Sequence, residues 1–370
     1  FFGNSFHNDI VLMITLYTVS TLSLNIVDNI NMLVKKIFKL KNLRYLLLVF
    51  LSACIENAPL DSLSPEGPYA RSIDELFWIT FWIAVVIFVI VQGALLLSVF
   101  VYKEKPDSPE PKQIHGNTKL EILWTVIPVL ILAAIAVPTV RTIFDLAREP
   151  ENALKIEVIG HQWWFEYKYP DYGITTANVL VIPADKPVRL EMWSNDVLHN
   201  YWVPKLNGKR YLVPGQTTYL NLHADSPNEF WAQCGEYCGL SHSKMRGRVL
   251  SMSQSDFDAW VKNQQKDAVA FSSDDLSLAA EGQQVYLNAG CTQCHVINGV
   301  WDVQGDRIAP NLTHFANRNV FAGAALKNNP ENLTKWLANP AELKPGTFMP
   351  NLELTESEIN ALIAYLETLK

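Results

Sequence analysis

Two short stretches of the chain gather residues that bind metals. Positions 234 to 245 read Cys-Gly-Glu-Tyr-Cys-Gly-Leu-Ser-His-Ser-Lys-Met, which places Cys234, Cys238, His242 and Met245 within one loop. A further His199 follows the strand-like Asp196-Val197-Leu198. Thiolates with imidazole select copper or zinc, and a thioether tips the choice towards copper. Three plainer readings stay open on spacing alone. A Cys234–Cys238 disulfide suits a non-cytoplasmic loop but leaves His242 and Met245 without a task. A zinc site does not need Met245, and Met245 also reads as a core residue.

The second stretch is Cys291-Thr292-Gln293-Cys294-His295. Cys-x-x-Cys-His is the attachment pattern of c-type haem, in which both thiols form thioethers and the His is the first axial ligand. A thioredoxin-like motif needs a surrounding βαβ pattern, which is missing, and a zinc knuckle needs a further ligand pair. Met349 is the only Met after Met252. Paired with His295 it raises the haem potential, as suits an electron carrier. The rival sixth ligand is His314, in a loop-like stretch after Asn311-Leu312-Thr313.

Elements of three kinds must hold these residues. Segments 154–158 and 188–192 alternate apolar and polar residues, and 179–182, 218–222, 230–233 and 248–250 add shorter strand candidates between Pro, Gly, Asn and Asp. Period two with such turns predicts strands with one buried face, hence an all-β sandwich or barrel. From Ser255 the pattern turns helical, residues 266–275 form a polar linker, and the last hundred residues read as all-α. Thr355 with Glu358 is a capping box ahead of Ile359, Leu362, Ile363 and Leu366 on one face.

Residues 76–102 and 122–140 carry no charge. About 20 apolar residues cross a bilayer core, so both stretches predict spans and together a transmembrane hairpin. Pro128 and Pro138 do not exclude a helix there. The connecting loop holds Lys103, Lys105, Lys112 and Lys119. Positive charge in short loops marks the cytoplasmic side, which puts everything after about residue 145 outside the cytoplasm. Upstream, Lys35, Lys36, Lys39, Lys41 and Arg44 precede an apolar run at 45–51, the layout of a secretory signal. It ends Leu51-Ser52-Ala53-Cys54, which resembles the lipobox of bacterial lipoproteins and makes Cys54 a lipidation site; the plainer reading is a short membrane helix with an incidental Cys. Residues 1–31 lie ahead of that layout, and Met32 stands directly before its basic part.

The chain thus divides into an upstream stretch with a signal (1–53), an extracytoplasmic segment (54–72), the hairpin (73–145), the β domain (150–255), a helix and linker (256–275) and the helical domain (276–370). Charged residues are only 18% of the chain and the net charge is −7, which argues against disorder and against nucleic acid as a partner.

Cys-x-Glu-x-Cys-Gly-x-x-His-x-x-Met, preceded by Asp-Val-Leu-His and Trp-Val-Pro, resembles the dinuclear copper A motif of cytochrome c oxidase subunit II. Gly160-His161-Gln162-Trp163-Trp164 and Glu121-Ile122-Leu123-Trp124-Thr125-Val126-Ile127-Pro128 resemble the same family. The likeness implies a cupredoxin barrel in which Cys234 and Cys238 bridge two coppers while His199 and His242 cap one each. Met245 then completes one ion and the Glu236 carbonyl the other, and the Glu236 carboxylate binds a magnesium ion shared with subunit I. The likeness also puts Trp163 on the path of electron entry and Glu121 at the mouth of a proton channel in subunit I. On residue type alone, Glu121 is an ordinary interfacial carboxylate, and Trp163 and Trp164 are core or interfacial aromatics.

The C-terminal segment resembles a class I cytochrome c, with Pro310 matching the proline whose carbonyl orients the axial His. The fusion resembles the subunit II of bacterial oxidases that carry their own cytochrome c. It implies a multi-pass protein of the bacterial cytoplasmic membrane, in contact with lipid and with subunits I and III, its metal domains on the periplasmic side. Electrons pass from a periplasmic cytochrome c or an upstream quinol-oxidising complex through haem c and copper A to haem a of subunit I, where oxygen becomes water with proton translocation. Neither span contains a His, so the oxygen site lies on another chain. Two alternatives are a copper A-containing nitric oxide reductase subunit and a membrane copper chaperone; the chaperone leaves Met245, Glu236 and the haem motif unexplained. This chain departs from the family pattern at Tyr211, where relatives often have Asp, at Gln216, where they have Arg, and at Phe165, where Trp or Tyr is usual.

Overall fold

The computed structural model describes residues 58–370 apart from 105, 107–108, 273 and 303–307. Cys54 and the signal-like stretch lie outside the described residues.

Helices α1 (Pro68–Val101) and α2 (Thr118–Ala147) are long and apolar enough to cross a membrane. Most of their large apolar side chains are exposed, as a lipid- or subunit-facing surface requires. Pro at the first turn starts α1, and the Asn117 side chain accepts from Lys119 N and Leu120 N to start α2. Both helices are tied to the β domain at their extracytoplasmic ends. Asn221 Nδ2 donates to the carbonyls of Leu146 (2.9 Å) and Arg148 (2.8 Å), which satisfies the end of α2. Just ahead of α1, Glu66 pairs with Lys205 at 2.7 Å, and in its first turn Arg71 pairs with Asp225. Only glycine fits at position 67, because a Cβ there would lie 2.0 Å from the His223 carbonyl oxygen.

The β domain is a sandwich of two five-stranded sheets. One contains β1 (Leu154–His161), β2 (Trp164–Tyr169), β3 (Ile174–Ala177), β5 (Val188–Ser194) and β8 (Thr218–Leu222), in the order β3-β2-β1-β5-β8. The other contains β4 (Val179–Pro183), β6 (His199–Trp202), β7 (Lys209–Leu212), β9 (Asn228–Cys234) and β10 (Arg246–Met252), in the order β4-β10-β9-β6-β7. The pairs β1–β5 and β4–β10 are parallel and the others antiparallel. Every strand expected from alternation lies within an observed one. Strand β2 escapes that rule, because Phe165, Tyr167 and Tyr169 face the core while Trp164 and Glu166 on the other side are covered too. With both faces buried, the alternation of polarity fades.

Helix α3 (Gln254–Gln264), capped by Ser253, lays Phe257 and Val261 on the sandwich core. The linker that follows is anchored, not free. His314 Nε2 lies 3.1 Å from the carbonyls of both Gln264 and Lys266, Ala268 N donates to Asn298 O, and Phe271 exchanges backbone bonds with the Gln283 side chain. The C-terminal domain contains α4 (Leu278–Asn288), α5 (Pro330–Ala338), the short α6 (Pro340–Leu343) and α7 (Glu356–Leu366), with a small ribbon of β11 (Val320–Phe321) and β12 (Leu326–Lys327). The Thr355–Glu358 capping box starts α7, and α7 crosses α4 where Gly282 permits close approach.

Candidate metal centres

The copper-type donors converge at one end of the sandwich. Strand β9 ends on Cys234, β6 begins on His199, and the loop between β9 and β10 brings Cys238, His242 and Met245 back over them. Cys234 Sγ and Cys238 Sγ are 3.8 Å apart. His199 Nδ1 lies 4.0 Å from Cys234 Sγ, and His242 Nδ1 lies 3.5 Å from Cys238 Sγ. Met245 Sδ is 3.8 Å from Cys238 Sγ, and the Glu236 carbonyl is 3.2 Å from Cys234 Sγ. The two sulfurs therefore stand at the centre, each with an imidazole and one further donor. Among the described residues, His199, Cys234 and Cys238 form a buried group able to hold a metal ion. Mixed thiolate, imidazole and thioether donors suit copper, and no disulfide joins the cysteines.

Supporting residues orient this set. Asp196 Oδ1 accepts from His199 Nε2 at 2.7 Å, which turns Nδ1 towards the sulfurs. Burial opposes protonation of His199, but its bonds to Asp196 and Cys234 outweigh it and raise its pKa. Burial likewise works against the Asp196 carboxylate, yet His199 and two backbone N–H groups leave its pKa lowered. The cysteines titrate as a pair: the Cys238 hydrogen bond pulls the Cys234 thiol down, and the same contact holds the Cys238 proton more tightly. Gly160 lets β1 pass under the His199 ring, since a Cβ there would come within 2.7 Å of it.

The haem motif lines a cavity of about 330 Å³ in the helical domain, together with Met349, Tyr286 and Arg318. His295 Nδ1 donates to the Pro310 carbonyl at 2.7 Å, so the other ring nitrogen is free for a metal. Arg318 is buried, donates to Asn311 O at 2.6 Å, and keeps Nε without a partner among the described residues. A largely apolar cavity with two thiols, an oriented His, a thioether and a guanidinium with one unpartnered N–H fits a haem, whose porphyrin carries acidic groups. His314 points elsewhere, towards the linker carbonyls.

Trp163 belongs to both sites. It lines the haem cavity, and its indole Nε1 donates to the Cys238 carbonyl at 2.9 Å. The Gln162 side chain donates to the same oxygen at 2.7 Å. Glu121 stands apart on α2, where its carboxylate accepts from Asn117 N at 3.2 Å and helps start the helix. The Glu236 carboxylate beside the Tyr211 hydroxyl raises the Tyr211 pKa. Asp196, Gln162 and Arg318 are residues around these sites that sequence reasoning missed. Asp196 carried a usable signal, since it stands three residues before His199.

Residues 61–142 match the transmembrane domain of cytochrome C oxidase subunit II, residues 173–251 its periplasmic domain, and residues 279–370 cytochrome c. The chain is 37% identical to cytochrome c oxidase subunit 2 of Alkalihalophilus pseudofirmus, over 88% of this chain and 95% of that one. The same subunit of Bacillus subtilis is 35% identical over 70% of this chain and 77% of its own length. Quinol oxidase subunit 2 of Bacillus anthracis is 33% identical over 65% of this chain and 84% of its own. Among solved structures, the periplasmic domain of subunit II of cytochrome oxidase from Bradyrhizobium japonicum aligns at 24% identity and a TM-score of 0.31, covering 32% of this chain and 97% of that one.

Proposed function

The chain belongs to the cytochrome c oxidase subunit 2 family, and on that premise we propose which of its residues hold each metal and in what order electrons reach them. It is an electron-transfer subunit of a membrane oxidase, with one copper-binding and one haem-binding domain. Its relatives support the oxidase reading and not a nitric oxide reductase.

The copper form proposed is dinuclear copper A, which Cys234, Cys238, His199, His242, Met245 and the Glu236 carbonyl would hold. A haem of type c would be joined to Cys291 and Cys294 and held by His295 and Met349. Copper and haem supply reversible one-electron chemistry; the chain's own residues fix their surroundings. Asp196 holds His199 in its donor tautomer, Pro310 does the same for His295, and the tight packing around both sulfurs limits rearrangement when charge changes. The Glu236 carboxylate is the proposed magnesium ligand towards subunit I, with the Tyr211 hydroxyl beside it where relatives often have Asp. Glu121 faces the proton channel of subunit I. The setting is the bacterial cytoplasmic membrane, with both metal domains on the periplasmic side, subunits I and III as neighbours, and a cytochrome c or a quinol-oxidising complex as donor.

One observation carries the order of carriers: Trp163 lines the haem cavity and bonds the main chain of Cys238. Metal analysis should find two coppers and one covalent haem per chain. Rapid mixing with a reduced donor should then show the haem band change before the copper band. Copper that is reduced first, with haem lagging, would refute this order.

A further inference from the structure

A buried lysine sits at the junction between the two metal domains. Lys344 follows α6 and is 5% exposed, yet among the described residues no carboxylate pairs with it. Its ammonium donates instead to two main-chain carbonyls, Trp163 O of the β domain at 2.5 Å and Ala322 O of the helical domain at 2.9 Å. Burial pushes its pKa down to about 7. Two acceptors from different domains thus converge on one buried point, and only a donor placed between them relieves both.

The neighbours belong to the same seam. Arg246 N donates to Gly323 O at 2.8 Å, Ser241 Oγ to Pro345 O at 2.7 Å, and Lys244 Nζ to Leu343 O. A Cβ on Gly323 would lie 2.4 Å from Trp163 O and 2.5 Å from Lys344 Nζ. A Cβ on Gly346 would lie 2.7 Å from the Trp163 ring. The helical domain therefore grips Trp163 by its carbonyl and by its ring edge. On its other side, the indole N–H is fixed on the Cys238 carbonyl.

We propose that Lys344 is a positioning residue for electron transfer: its ammonium ties the Trp163 main chain to the helical domain and fixes the indole between the haem cavity and the copper loop. This rests on the haem-to-copper order proposed above. The step moves one electron, oxidising the haem iron and reducing the copper pair, and no bond at Trp163 or Lys344 is made or broken. Transfer then proceeds from a standing contact between the domains, without a search by a tethered partner.

The test uses the assembled oxidase. In Lys344→Met, amide exchange of a peptide containing Arg246 should rise tenfold or more, while α7 keeps its protection. Haem-to-copper transfer should slow at least tenfold and become dependent on solvent viscosity, with both reduction potentials unchanged. A lysine that served only domain stability would leave the viscosity dependence untouched. Gly323→Ala pushes a methyl into the same seam and should reproduce both effects, which covers the case of a Lys344→Met chain that does not fold. Wild-type exchange at Arg246 together with viscosity-independent transfer at the wild-type rate, in either folded variant, overturns the proposal. Copper that stays oxidised beside reduced haem in the wild type would overturn the order of carriers instead, and that result does not depend on residue 344.

Discussion

Cys234, Cys238 and Met245 are 1%, 3% and 0% exposed, whereas Cys291, Cys294 and Met349 are only partly buried around a cavity of about 330 Å³. The first three, proposed as copper donors, are members of the sandwich core, packed with Trp163, Phe165 and Tyr201. Their positions follow from side-chain packing that does not wait for a metal. The second three, proposed to hold haem, surround a space that Tyr286, Leu333, Leu337, Leu362 and Leu366 also border, and those residues make up much of the helical core. One site is supported by its fold, and the other completes it.

The largest expected effect breaks this contrast directly. Without haem, the apolar walls of this solvent-open space would face water and lose their packing partner. Cys291→Ala with Cys294→Ala should therefore abolish covalent haem and leave α7 amides unprotected in hydrogen exchange. Cys234→Ser with Cys238→Ser should lose copper yet keep β2 and β5 protected, at a cost of about 1–3 kcal/mol. Equal loss of protection in both domains, or in neither, would break the comparison.

Met349→Ala comes next. Haem should remain attached through Cys291 and Cys294, its potential should fall on the order of 0.1 V within the ~0.8 V that axial ligands command, and added imidazole should bind. A potential that stays in place and a haem that refuses imidazole would assign the sixth position to another group. Met245→Leu sharpens the copper side. Leu nearly conserves volume in the fully buried position, so stability should change by less than about 1.5 kcal/mol. The copper spectrum should nonetheless shift and transfer to subunit I should slow. An unaltered spectrum with normal turnover would make Met245 a core residue only.

The two donor clusters, proposed above as metal ligands, were legible because their residues sit at short local spacing. Cys234 to Met245 and Cys291 to His295 each fit within one loop, and the partner His199 follows a short strand signal. Residues whose role depends on distant chain were not. The stretch at 266–275 reads as a polar linker, but Asn298, Gln283 and His314 hold its backbone from elsewhere in the sequence. Strand β2 was hidden by burial on both faces, and Lys344 is one lysine among many until Trp163 O and Ala322 O meet around it. Composition reports whether a segment can be solvated; it does not report which distant donors are within reach.

The smallest expected effect separates the two histidines of the helical domain. His295 gives Nδ1–H to Pro310 and presents its other nitrogen to the cavity, whereas His314 spends Nε2–H on the carbonyls of Gln264 and Lys266. His314→Leu should therefore leave the haem spectrum and potential unchanged. It removes the donor shared by two linker carbonyls, which costs about 1–3 kcal/mol. For a domain of this size each kcal/mol lowers the melting temperature by about 4–8 °C. Loosening should begin at the linker, so proteolysis within residues 266–275 should quicken before α7 loses protection. A changed haem spectrum in His314→Leu would return it to the ligand set and displace Met349.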